Sequence, residues 1–267
     1  MRLEAGVLIA GLIVSACGPG GGDGAERRAA AGGDGSGGES AAVVAEYQPA
    51  DSSVARDLIE YATGAAETIE TFFGAPFPLS WRLVVLPERA AFDSLAAERW
   101  GMPATECWMV GTATTRTLFI LSPRRWRADC DHDPLDREHV REIVAHELVH
   151  VYHMQRNPSD EFEGADEVAW FAEGLATYVS GQLETGHAAR AREAIEVGAA
   201  PARLVDAWSG PYRYGVSGSL AAFLDERLGR ERFTGLLEAT TQTELLSRVG
   251  MTEEETLAGW RSRVTAR

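Results

Sequence analysis

The sequence predicts an α+β fold, with a small N-terminal sheet and its helices packed beside a mainly helical C-terminal part. Three observations carry that expectation. Strand-like runs, rich in β-branched residues and Thr, are confined to residues 81–121. From Leu135 onward, apolar positions recur at helical spacing almost to the end of the chain. No segment repeats, and strands followed by helices are the signature of an α+β arrangement.

The elements follow in order. The first seventeen residues read as an export signal: Met1 and Arg2 give a short positive end, weakened by Glu4. Ala5 to Val14 then form an apolar run of ten residues, too short to span a bilayer. Val14-Ser15-Ala16-Cys17 resembles a bacterial lipobox, which would make Cys17 the lipidated first residue of the mature chain. The alternative is an ordinary signal cut near Ala16, with Cys17 incidental. Gly18 to Ser40 hold ten of the 28 glycines and offer almost nothing to bury, so residues 18–45 are expected to be a flexible linker. The corresponding location is the bacterial cell envelope, on a lipid-anchored membrane surface. The folded domain is expected over residues 46–267, with structure beginning near Tyr47.

Within it, Val54, Leu58, Tyr61, Ala65, Ile69 and Phe72 mark a helix over residues 51–73 that stops at Gly74. Trp81 to Leu86 reads as a strand closed by Pro87, and a short helix follows to Trp100. Trp108 to Leu121 reads as one or two strands with a turn at Gly111. Further helices are expected at 136–156, 166–181, 187–198, 216–228, 230–238 and 252–265.

The formal net charge is −15, which excludes the basic footprint that nucleic-acid binding requires. All 25 basic residues are Arg. With Cys17 set aside, Cys107 and Cys130 remain; in an exported protein an even remainder favours a disulfide over a buried free pair. The expected state is a monomer.

The stretch that carries chemistry is His146-Glu147-Leu148-Val149-His150, an H-E-x-x-H inside a predicted helix. Residues four apart lie on one face, so both imidazoles can reach one ion, and zinc accepts imidazole nitrogen. Glu147, beside the first ligand, is placed to take a proton from metal-bound water. A chance match on an amphipathic helix is the alternative reading. Against it, three of the six His residues crowd into residues 146–153.

A catalytic zinc needs a third protein ligand and an open position. The elongated metzincin motif is excluded, because its Gly and third-His positions are His153 and Arg156. Downstream, Glu173 stands among Trp170, Phe171, Leu175 and Ala176, where a lone carboxylate is costly unless paired or metal-bound. The polar loop from Asn157 to Gly164 allows the chain to return there.

H-E-x-x-H followed by Trp170-Phe171-Ala172-Glu173-Gly174-Leu175-Ala176-Thr177-Tyr178 resembles the gluzincin metallopeptidases, particularly the bacterial peptidase MA-like group. The resemblance extends to Tyr212 through Leu220, to Leu224 and Gly229, and to Gly259-Trp260, covering roughly residues 50–267. It implies a zincin-like C-terminal part, one Zn2+ per chain, and Glu173 as third ligand. One departure stands out: thermolysin-like relatives have an Asp four residues after that ligand, and here the position is Thr177.

The expected reaction is zinc-dependent hydrolysis of a peptide or protein substrate, with Glu147 as general base. Tyr214 is the candidate oxyanion donor, with Tyr212 its competitor and Tyr178 open between core and site. His153 reads as a solvated helix position, with the edge of the cleft as the alternative, and Asp166 or Glu167 as a brace for a ligand His. Two alternatives to a peptidase remain: an inactive zinc-binding scaffold lipoprotein, and a zinc hydrolase acting on a non-peptide amide.

Overall fold

The computed structural model describes residues 27–30, 43–102, 104–127 and 132–266. Cys17 and Cys130 lie outside the described residues, as does the signal segment. The described chain divides after Gln155 into two compact units, and the fold is α+β as expected.

The first unit holds a five-stranded mixed sheet. Its strands are β1 (Arg27–Ala30), β2 (Val44–Tyr47), β3 (Arg82–Leu86), β4 (Gly111–Thr114) and β5 (Thr117–Leu121), in the order β1-β2-β3-β5-β4. The central pairs, β2 with β3 and β3 with β5, are parallel; β1 and β4 run antiparallel at the two edges. Helix α1 (Ser52–Phe73) connects β2 to β3, and α2 (Arg89–Trp100) follows β3. Ala55, Leu58, Ala62, Ala65 and Ile69 give α1 a buried stripe at helical spacing. It ends at Gly74, whose φ of 68° is the left-handed C-cap that glycine adopts without penalty.

Helix α3 (Arg137–Met154) closes this unit, packing on α1 and on β4 and β5. It starts where Asp136 accepts hydrogen bonds from the Glu138 and His139 amides. At its far end Tyr152 stacks on Phe73 with 4.6 Å between centroids and donates a hydrogen bond to the Ala75 carbonyl. Val144, Leu148 and Val149 are fully buried along its inner side.

The second unit is helical: α4 (Ala169–Val179), α5 (Arg190–Glu196), α6 (Arg213–Leu228), α7 (Arg230–Thr234), α8 (Gln242–Val249) and α9 (Glu253–Ala266). Helices α4 and α6 form its centre. They approach closely because Gly174 and Gly218 face the crossing: a Cβ on Gly174 would stand 2.3 Å from the Ser217 carbonyl oxygen. Trp260 of α9 is fully buried against α6 and donates to the Ser219 hydroxyl at 2.8 Å.

Four local expectations are corrected. Gly111 is not a turn but the first residue of β4, and the reversal falls at Thr115-Arg116. β2 begins three residues before Tyr47, and α8 occupies a stretch expected to be loop. β1 lies inside the Gly-rich run read as a linker, at four residues that are not glycine.

Candidate metal centre

Helix α3 carries His146 and His150 one turn apart, as the H-E-x-x-H spacing requires. Their Nε2 atoms face each other at 3.2 Å, with His146 buried and His150 half-buried. Two nitrogens bound to one tetrahedral zinc at 2.0–2.1 Å would be about 3.3 Å apart, so the pair fits that ion. The buried neighbours Val144, Leu148 and Val149 fix the helix and leave the imidazoles only side-chain freedom.

Glu147 is half-buried and lies against Gly111, the first residue of β4. A Cβ on Gly111 would stand 2.6 Å from Glu147 Cγ and 3.0 Å from its Cδ and Oε1. Only a glycine admits the carboxylate at this place. Near the start of α3, His139 Nε2 lies 2.8 Å from His132 Nδ1, and His132 Nε2 lies 2.6 Å from the Trp108 carbonyl oxygen. The carbonyl can only accept, so His132 carries a proton on Nε2.

In the helical unit, Glu173 is a half-buried carboxylate on α4, a helix otherwise almost wholly buried. Its neighbour Gly174 is pressed onto α6, which sets the rotation of α4. Thr177, where a thermolysin-like Asp would stand, is fully buried; its hydroxyl donates to the Glu173 carbonyl at 2.8 Å and its methyl faces Gly218. The place is filled by a small side chain whose hydroxyl bond stays within α4. By residue type, two imidazoles on α3 and one carboxylate on α4 are the donors that suit a metal ion.

The tyrosines separate. Tyr178 donates its hydroxyl to Asp225 Oδ2 at 2.9 Å, and Arg230 holds the same carboxylate through Nε and Nη2. Burial, and then the bond to Asp225, push the Tyr178 phenol up to about 12. Its polar end is therefore committed to the α4–α6 interface. Tyr214, half-buried on the first turn of α6, lies stacked on His187 at 5.1 Å and edge-on to Trp208 at 4.8 Å, with the Arg213 guanidinium 5.2 Å from its ring. Tyr212 precedes the helix with Arg190 over its ring.

His153, expected at a solvated position, is buried, with 1% of its surface exposed. Asp166 and Glu167 are both exposed, and Glu167 accepts from the Gln242 amide. Cys107 is disulfide-bonded. No local sequence pattern pairs Gly111 with Glu147, because the side chain that faces it lies 36 positions away.

No protein-family model matches the chain, and no curated protein does.

Proposed function

We propose that the protein is a zinc-dependent metallopeptidase of the gluzincin type, with His146, His150 and Glu173 holding the metal and Glu147 as general base. The observation that carries this reading is the pair of imidazole nitrogens 3.2 Å apart on α3, with a carboxylate on the very next residue. Further support comes from the donor set, two imidazoles and one carboxylate, which suits zinc and leaves one tetrahedral position for water.

Zinc, when bound, would supply Lewis-acid polarisation of the scissile carbonyl and an acidified water. Glu147 would take a proton from that water and hand it to the leaving amine, the task of a general base that becomes a general acid. Its carboxylate stands where Gly111 leaves space, so it is held without a competing bulk on that side. Tyr214 would donate to the developing oxyanion, since its ring is fixed from two sides by His187 and Trp208. Tyr178 is excluded from this role by its bond to Asp225.

The two carboxylates separate in one experiment. Glu147→Gln keeps size and shape; the variant should bind about one zinc yet lose peptide-hydrolysing activity by roughly 10²–10⁴-fold, the usual contribution of a positioned base. Glu173→Ala should lose zinc affinity and activity together. A fully active Glu147→Gln protein would sink the catalytic assignment. Glu173→Ala with undiminished zinc affinity would move the third ligand elsewhere. A wild type that binds zinc but cleaves nothing in a mixed peptide library would instead point to the scaffold reading.

We also propose a lipid anchor at Cys17, from the Val14-Ser15-Ala16-Cys17 sequence alone. Among the described residues no helix is long and apolar enough to cross a membrane. Growth with a labelled fatty acid should tag the wild type, and Cys17→Ser should release it; an exported, unlabelled, freely soluble wild type rules the anchor out.

A further inference from the structure

We propose that Gly111 is a positioning residue for Glu147: the missing side chain at the start of β4 is what allows the carboxylate to stand where a base is needed. This rests on the assignment of Glu147 as the base.

The wall on which Glu147 lies is held on every side. Gly111 pairs with Ile120 of β5, and the residue before it, Val110, accepts from the Leu121 amide at 2.8 Å. One step further back, Arg89 of α2 donates to the carbonyls of Met109, Cys107 and Glu106 and to the Thr105 hydroxyl. Thr105 is gripped again by Asp93. The guanidinium is partly buried for this purpose, and that burial is the main reason its pKa is lowered from the usual arginine range. The chain entering β4 is thereby clamped to α2, while the ladder to β5 fixes β4 itself. Neither gives Gly111 room to retreat.

The helix on the other side is equally fixed. Val144, Leu148 and Val149 are buried without exposed surface, and Gln155 ties the end of α3 to the Thr115 carbonyl in the β4–β5 turn at 2.8 Å. Between two immobile backbones, a Cβ at position 111 would stand 2.6 Å from Glu147 Cγ. Such a distance lies far inside carbon–carbon contact, so something must move. What can move is the Glu147 side chain, by changing rotamer. The strand therefore selects one placement of the carboxylate, and it does so only because residue 111 has no side chain.

The test is Gly111→Ala in the full-length protein, read in two independent ways. The first is a crystal structure of the variant, in which β4 and α3 should superpose on the wild type while the Glu147 carboxylate is displaced. An unmoved Glu147 with a shifted β4 overturns the proposal, whatever the protein hydrolyses. The second is kinetic: zinc content and KM should be unchanged while kcat falls by about 10²-fold, the scale of a loss from slight misplacement of a catalytic group. Adding Gly111→Ala to Glu147→Gln should then cost nothing more, because both act through one carboxylate. An active wild type in which Gly111→Ala leaves kcat intact, or lowers it equally in the Glu147→Gln background, overturns the proposal and leaves the peptidase reading standing. A wild type with no peptidase activity refutes that reading instead, and the crystal structure then decides the placement alone.

Discussion

Gly111 and Gly174 each occupy a place where a Cβ would collide, and the two collisions are of different kinds. At Gly174 the neighbour is the backbone of α6, the Ser217 carbonyl at 2.3 Å and its carbon at 2.6 Å. At Gly111 the neighbour is the Glu147 side chain. Main chain cannot step aside without moving a helix, whereas a side chain can turn. The first glycine therefore guards the packing of the helical unit, and the second guards the direction of one functional group. A single residue type serves stability in one region and placement in the other, and only the identity of the opposing atom tells them apart.

The largest expected effect follows from the first case. Gly174→Ala should destabilise the protein by about 3 kcal/mol, the upper part of the usual range for overpacking between fixed backbones. Urea unfolding monitored by circular dichroism would show it as a lower midpoint. Gly64→Ala is the counterpart inside α1, where an added Cβ meets nothing within 4 Å. That variant should gain about 0.5–1 kcal/mol from helix propensity. Equal effects at 64 and 174 would break the comparison, since both are helical glycines that differ only in what faces them.

Tyr178→Phe sharpens the same contrast with a smaller effect. Tyr178 sits one turn beyond Gly174 and joins α4 to Asp225 of α6 through its hydroxyl. Losing that bond to a carboxylate should cost about 1–2 kcal/mol, with peptide hydrolysis unaffected. The wild-type phenol is raised to about 12, from an ordinary value of 10.0, so the folded state holds its proton more tightly than the unfolded chain. That contribution is whole below about pH 10 and disappears as pH climbs through about 12. Alkaline unfolding of Tyr178→Phe should lack this step. A step of the same size in the variant would assign it to another group.

How much of this was legible in the sequence depends on how local each signal is. Helix α3 and the placement of His146, Glu147 and His150 on it are written in five consecutive residues and a matching helical period. α1 and its stop at Gly74 are local in the same way. Helix α8 is hard to read because it is short and buries only Leu245 and Val249. The available clue was the start, Thr241-x-x-Glu244, where the Thr241 hydroxyl accepts from the Glu244 amide. Gly111 was read as a turn because glycine punctuates strands more often than it serves them. Its actual use depends on a side chain far along the chain, which no window on the sequence contains. Two of the three tyrosines in the resemblance also needed structure, since Tyr178 and Tyr214 differ only in what their rings and hydroxyls meet.

The edge strand β1 has a consequence for distance. Were Cys17 acylated, the span from the lipid to the sheet would be set by the nine residues before Arg27, not by the 26 before Val44. A fully extended chain covers at most about 3.3–3.6 Å per residue, so the reach drops from about 90 Å to about 30 Å. Pairing of four residues with β2 would thus act as a height adjustment, bringing the domain within one small-protein diameter of the bilayer. Releasing β1 would lengthen the leash about threefold.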